Sequence, residues 1–172
     1  MKKIYKLNNI KINDNIKKII NKNIDEDNLE ILSRISNGPG GYNISSQIST
    51  DNIPSNLKNI YKNRENSMLI SFYHVAWHDD KKFATKKYPW FLIIVAQTHG
   101  KEYYLELGKK LPNKHKVLLK EGDVYLINTQ IKHRVSYKGD VDGKPCSVIV
   151  DNTIIENEDI ENFIKTHNIG II

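Results

Sequence analysis

Hydrophobic positions along the 172-residue chain keep two different rhythms. From 14 to 37 they return at helical spacing: Ile16, Ile19 and Ile20 form one stripe and Leu29, Leu32 and Ile35 another, with Asp25 and Asp27 placed as caps between them. Gly38-Pro39-Gly40-Gly41 ends that region, because proline cannot continue a helix and glycine adopts backbone angles that other residues avoid. A loop rich in Ser, Asn and Thr is expected to follow as far as Asn52. Pro54 and Ser55 then open a short helix, with Leu57, Ile60 and Tyr61 on its inner side.

From Met68 the rhythm changes to alternation or to short apolar runs. This predicts strands near 67–77, 88–98, 101–107, 115–119, 123–128, 132–138 and 146–151. A closing helix is expected from Asn157 to His167, with Ile160, Phe163 and Ile164 facing inward. Turns such as His99-Gly100 and Glu121-Gly122 separate the strands, and no helices alternate with them, so the expected architecture is a β-sandwich or barrel. The N-terminal helices (1–66) would pack outside the β core (67–154), and the closing helix (155–172) would complete one domain.

At this length, and with 39% hydrophobic residues, the chain suffices for one compact core and is short for two. The formal charge of +6 comes from lysines dispersed among many asparagines and isoleucines, a pattern of solvated faces more than of a nucleic-acid surface. A single cysteine, Cys146, excludes an intramolecular disulfide and is expected as a small buried residue on a strand. Polar residues interrupt the first six positions, Met1-Lys2-Lys3-Ile4-Tyr5-Lys6, before any apolar run develops, and Trp90 to Ala96 is far below the ~20 residues that span a bilayer. These features predict a soluble, cytoplasmic protein without membrane contact.

Against that background His78-Asp79-Asp80 and the distant His133 stand out. A His-x-Asp pair puts its first and third residues on one side of an extended chain, so two ligands converge from one strand end. His133 lies just past the turn that follows the strand Val124 to Asn128. Two imidazoles and a carboxylate suit Fe(II) and leave octahedral positions open for chemistry. His74 shares the alternation of His78 and is an alternative third imidazole. His99, His115 and His167 lack such a setting, and the Gly38 segment lacks the spacing of a phosphate loop.

The block Glu121-Gly122-Asp123-Val124-Tyr125-Leu126-Ile127-Asn128-Thr129, continuing to His133-Arg134-Val135 and closing on Ser147-Val148-Ile149-Val150-Asp151, resembles the aspartyl/asparaginyl hydroxylase group. That group belongs to the Fe(II)- and 2-oxoglutarate-dependent dioxygenases, built on a cupin-like double-stranded β-helix. The resemblance spans roughly 68 to 151. It implies that His78, Asp80 and His133 hold iron, with 2-oxoglutarate as cosubstrate for hydroxylation of an amino acid or peptide side chain. Where family members carry an arginine six residues before the closing aspartate, this chain has Pro145. Lys144, Arg134 and Ser147 are then the candidates to receive the distal carboxylate, and lysine lacks the planar fork of arginine. Two other readings stay open: a cupin-type metalloprotein using His74, His78 and His133 without 2-oxoglutarate, and a jelly-roll binding module without catalysis.

Overall fold

The computed structural model describes residues 4–7, 10–23, 44–58, 60, 66–108, 115–139 and 145–166. The elements run β1 (Ile4–Leu7), α1 (Asp14–Asn23), β2 (Ile44–Ser49), a 3-10 turn (Thr50–Asn52), α2 (Ser55–Lys58), β3 (Asn66–Phe72), β4 (Val75–His78) and β5 (Trp90–Gln97). Then come β6 (Tyr103–Leu107), β7 (His115–Leu119), β8 (Val124–Asn128), β9 (His133–Tyr137), β10 (Cys146–Asn152) and α3 (Ile160–Thr166). A six-stranded sheet has the order β1-β8-β5-β10-β3-β2, and a four-stranded sheet the order β4-β9-β6-β7. Every pairing is antiparallel. From β3 to β10 the chain passes back and forth between the sheets, which is the winding of a double-stranded β-helix, so the mainly β jelly roll expected from the sequence is the observed fold.

The large sheet carries apolar side chains on both faces of β5, and this explains why β5 reads as an unbroken apolar run. Trp90, Leu92, Ile94 and Ala96 point to the helical side, where they join Ile16 and Ile20 of α1, Leu57 of α2, and Ile160 and Ile164 of α3. Val95 faces the small sheet, with Tyr125 and Ile127 of β8 and Tyr103, Leu105 and Leu107 of β6. The Asn13 side chain caps α1 by accepting the Ile16 N–H at 2.8 Å, and Asp14 adds a negative charge to the first turn. Among the described residues no helix is long and apolar enough to cross a membrane.

Three expectations are corrected. The predicted strand 67–77 is two strands in opposite sheets, with the chain turning at Tyr73-His74. The polar loop expected before Asn52 contains β2, which pairs with β3 at the edge of the large sheet. Ile4 to Leu7, given no element from the sequence, pairs with β8 as β1. The second helical stripe (Leu29, Leu32, Ile35), Asp25, Asp27, the Gly38-Pro39-Gly40-Gly41 segment and Tyr61 lie outside the described residues.

Candidate metal centre

β4 ends where β9 begins, and the pairing register sets His78 directly opposite His133. Directly opposed residues of neighbouring antiparallel strands project to the same face, so the imidazoles meet, with ring centroids 4.2 Å apart. A register irregularity between Val75 and His78 brings His78 into this row. Asp80 follows two residues later, already in the turn. Its N–H donates to the Thr129 carbonyl at 3.0 Å, and its own carbonyl accepts from the N–H groups of Phe83 (2.8 Å) and Ala84 (2.9 Å). Thr129 is itself fixed, its hydroxyl and N–H both donating to the Pro89 carbonyl at 3.0 Å. The carboxylate is thus carried by a turn whose backbone is bonded on both sides.

His78 Nε2 lies 3.8 Å from Asp80 Oδ1, and His133 Nε2 lies 3.3 Å from Asp80 Oδ2. The other ring nitrogens face away: His78 Nδ1 is 2.8 Å from the Ala76 carbonyl, and His133 Nδ1 is 3.0 Å from the Ile131 carbonyl. A carbonyl oxygen only accepts, so each Nδ1 carries a proton and each Nε2 is directed toward the carboxylate, the orientation of a ligating imidazole. Burial holds the His78 pKa below its ordinary value, and the neighbouring His133 acts in the same direction, which favours the neutral, ligating form.

The ligating atoms of His78, Asp80 and His133 all lie within 4.8 Å of one another. This approaches the ~3–4 Å spacing of ligands that each stand ~2.1 Å from one ion. The side chains of His133 and Asp80 are 7% and 17% exposed, whereas that of His78 is 39% exposed, so the cluster is sheltered on one side and open on the other. Two imidazoles and one carboxylate match the donor set of a mononuclear non-haem Fe(II) site, in which a bound ion would keep coordination positions for other molecules.

The remaining sequence candidates are placed elsewhere. His74 sits at the turn between β3 and β4, four residues from His78, or ~13 Å along an extended strand, and is outside the cluster. Arg134 projects from the opposite face of β9, where its Nη2 bonds Glu106 at 2.9 and 3.1 Å and its guanidinium lies over the Trp77 ring. Burial works against ionisation of Glu106, yet the Ser136 hydroxyl at 2.6 Å and Arg134 hold its pKa below the usual value. Arg134 is therefore committed to Glu106 on the outer face of the small sheet.

Ser147 is corrected by parity. β10 and β3 pair in continuous register, and Cys146, Val148, Phe72 and Ile70 all face the small sheet. Ser147 and Ser71 take the opposite face, with their hydroxyl oxygens 2.7 Å apart. Cys146 is buried, and its thiol is pushed above its usual pKa by that burial. Lys144 lies outside the described residues. His115, given no role from the sequence, begins β7 at the end of the row His78, His133, Leu107, His115, on the same face and exposed. Only strand register reveals that relation.

No family model and no curated protein matches the chain. Three solved structures overlap parts of it. The Fe(II) form of HppE is 15% identical over 51% of this chain, with TM-score 0.33. A Lactobacillus farciminis oxalate decarboxylase formate complex is 12% identical over 67%, with TM-score 0.40. An oxidoreductase of the 2OG-Fe(II) oxygenase family from Burkholderia pseudomallei is 10% identical over 81%, with TM-score 0.38. The overlaps cover 41%, 30% and 56% of those chains, and similarity at this level says nothing about the chemistry here.

Proposed function

We propose that this protein is a mononuclear non-haem Fe(II) oxygenase that hydroxylates an unactivated C–H bond, with 2-oxoglutarate as cosubstrate. One observation carries the proposal: two imidazoles, each anchored through Nδ1 to a backbone carbonyl, turn Nε2 toward a single carboxylate at 3.8 and 3.3 Å. His78, His133 and Asp80 would hold the ion, which would supply dioxygen chemistry. The Nδ1 anchors keep both rings in the ligating tautomer, the bonded turn around Asp80 fixes the carboxylate, and the buried His133 shields one side from water. In the overall reaction one oxygen atom becomes the product hydroxyl and the other enters succinate. Release of carbon dioxide from 2-oxoglutarate provides the two electrons that the C–H bond does not.

A second reading, a metal-dependent oxygenase that does not use 2-oxoglutarate, is favoured by the charge inventory of the inner face. Among the described strand residues, the lysine on that face is Lys6, and buried Asp123 holds it at 2.6 Å. Purified protein given Fe(II), ascorbate and 2-oxoglutarate separates the two readings. The first expects succinate at a slow rate without substrate, abolished in His133→Ala and raised at least tenfold in KM by Lys144→Ala. Tight Fe(II) binding with no 2-oxoglutarate binding would leave the second reading in its place.

A further inference from the structure

We infer that the substrate enters the candidate metal centre as an aliphatic chain, lying on a hydrophobic wall that the large sheet turns toward the triad. The wall is built from cross-strand neighbours. Ile93 of β5 stands opposite Val150 of β10, which stands opposite Met68 of β3, and the next row is Val95, Val148 and Ile70. Phe91 extends it on β5. These residues share the face of the large sheet that looks toward His133, Val135 and Val117 on the small sheet.

Ile93, Val150 and Ile70 occupy the third, fourth and fifth strands of the six-stranded sheet, yet each is only partly buried. In a closed sandwich, inward residues on central strands lose all contact with solvent. Their partial exposure means that the space between the sheets is open there. Large exposed apolar side chains mark the same end: Met68 is 50% exposed, and Phe83, three residues beyond Asp80, is 69% exposed. The Phe83 carbonyl accepts from Asn152 Nδ2 at 3.3 Å, which holds this loop against the end of β10.

The named wall residues carry no charge and no polar side chain. Along the middle of this wall a zwitterionic or charged group would give up hydration without replacement, the polar side chains of these rows standing at their margins, Asn152 opposite Phe91 and Gln47 opposite Met68, whereas methylene groups gain from leaving water. The inference rests on the metal reading in one respect, that the bound chain lies within reach of His78, Asp80 and His133.

Titrations with octanol, decanol and dodecanol, with free leucine as the zwitterionic control, test it. Affinity should rise about three- to fourfold per added methylene, with leucine not binding. Met68→Glu, at an exposed position, should cost at least tenfold in decanol affinity, and Ile93→Ala should cost severalfold. With Mn(II) bound, the decanol protons should broaden. Absence of a chain-length trend overturns the inference, and so does a trend insensitive to Met68→Glu and without broadening when Mn(II) is bound, because the chain then sits elsewhere. A separate Fe(II) titration keeps the two claims apart. Normal metal binding without alkanol binding defeats only this inference, and alkanol binding sensitive to Met68→Glu without metal binding defeats the oxygenase reading while the wall stands.

Discussion

At the scale of residues, the centre depends on which atom each side chain presents, and only part of that was legible in the sequence. His78, Asp80 and His133 were identifiable from the His-x-Asp spacing and from the position of His133 after a turn, and the structure brings the three together. The Nδ1 anchors were not legible, because their acceptors are backbone carbonyls present at every position. Ser147 failed for a different reason: side chains alternate with a period of two, so an offset of one residue sends it to the wrong face. Arg134→Ala should therefore loosen Glu106 without changing Fe(II) affinity, which a paired metal titration and thermal melt would read. Asp151 supplies a sharper prediction. Burial raises its carboxyl pKa to about 6, although the Asn152 N–H at 2.7 Å and the Ser67 hydroxyl at 3.3 Å oppose the rise. The folded state then holds the proton more tightly than the unfolded state. Stability from the neutral form is complete below the unfolded value of ~3.9 and is lost as pH rises through about 6. Asp151→Asn should match the parent near pH 3.5 and exceed it at pH 7.5 by about 1 kcal/mol, after allowance for screening at this partly buried group. Equal pH profiles for the two proteins would refute this.

At the scale of elements, the sequence was most legible where burial is one-sided or complete, and least legible at edges and corners. β7 was placed at 115–119 from its pattern, and β5, β6, β8, β9 and β10 within about two residues. β2, Ile-Ser-Ser-Gln-Ile-Ser, was missed because an edge strand carrying exposed Gln47 and Ser49 has the composition of a loop. The corner at Tyr73-His74 contains neither glycine nor proline, so nothing in the sequence marked the change of sheet. Gly122 is the opposite case, a turn signal with an evident physical demand. Its φ is +87°, and a Cβ there would collide with the carbonyl oxygen of Ile10, whose N–H donates to the Gly122 carbonyl at 2.8 Å. Gly122→Ala should cost about 2–4 kcal/mol, seen as a lower denaturant midpoint at unchanged slope.

At the scale of the whole molecule, the jelly roll was inferable from seven predicted strands without intervening helices, but the pairing of β4 with β9 was not, since these strands lie far apart in sequence. The large sheet joins two cores, one under the helices and one between the sheets. Ile94, fully buried on the helical side of β5, should cost about 2–5 kcal/mol when changed to Ala, and Fe(II) affinity of the folded fraction should not change. The turn at Tyr73-His74 has a wider consequence. By sending β3 and β4 into different sheets, it puts both histidines of the candidate centre on the smaller sheet and leaves the facing aliphatic surface to the larger one. On the proposed reading, reagent and selectivity are then inherited on separate scaffolds. A lineage of such an enzyme could retune what it oxidises, residue by residue along β3, β5 and β10, while its grip on the proposed ion stayed constant.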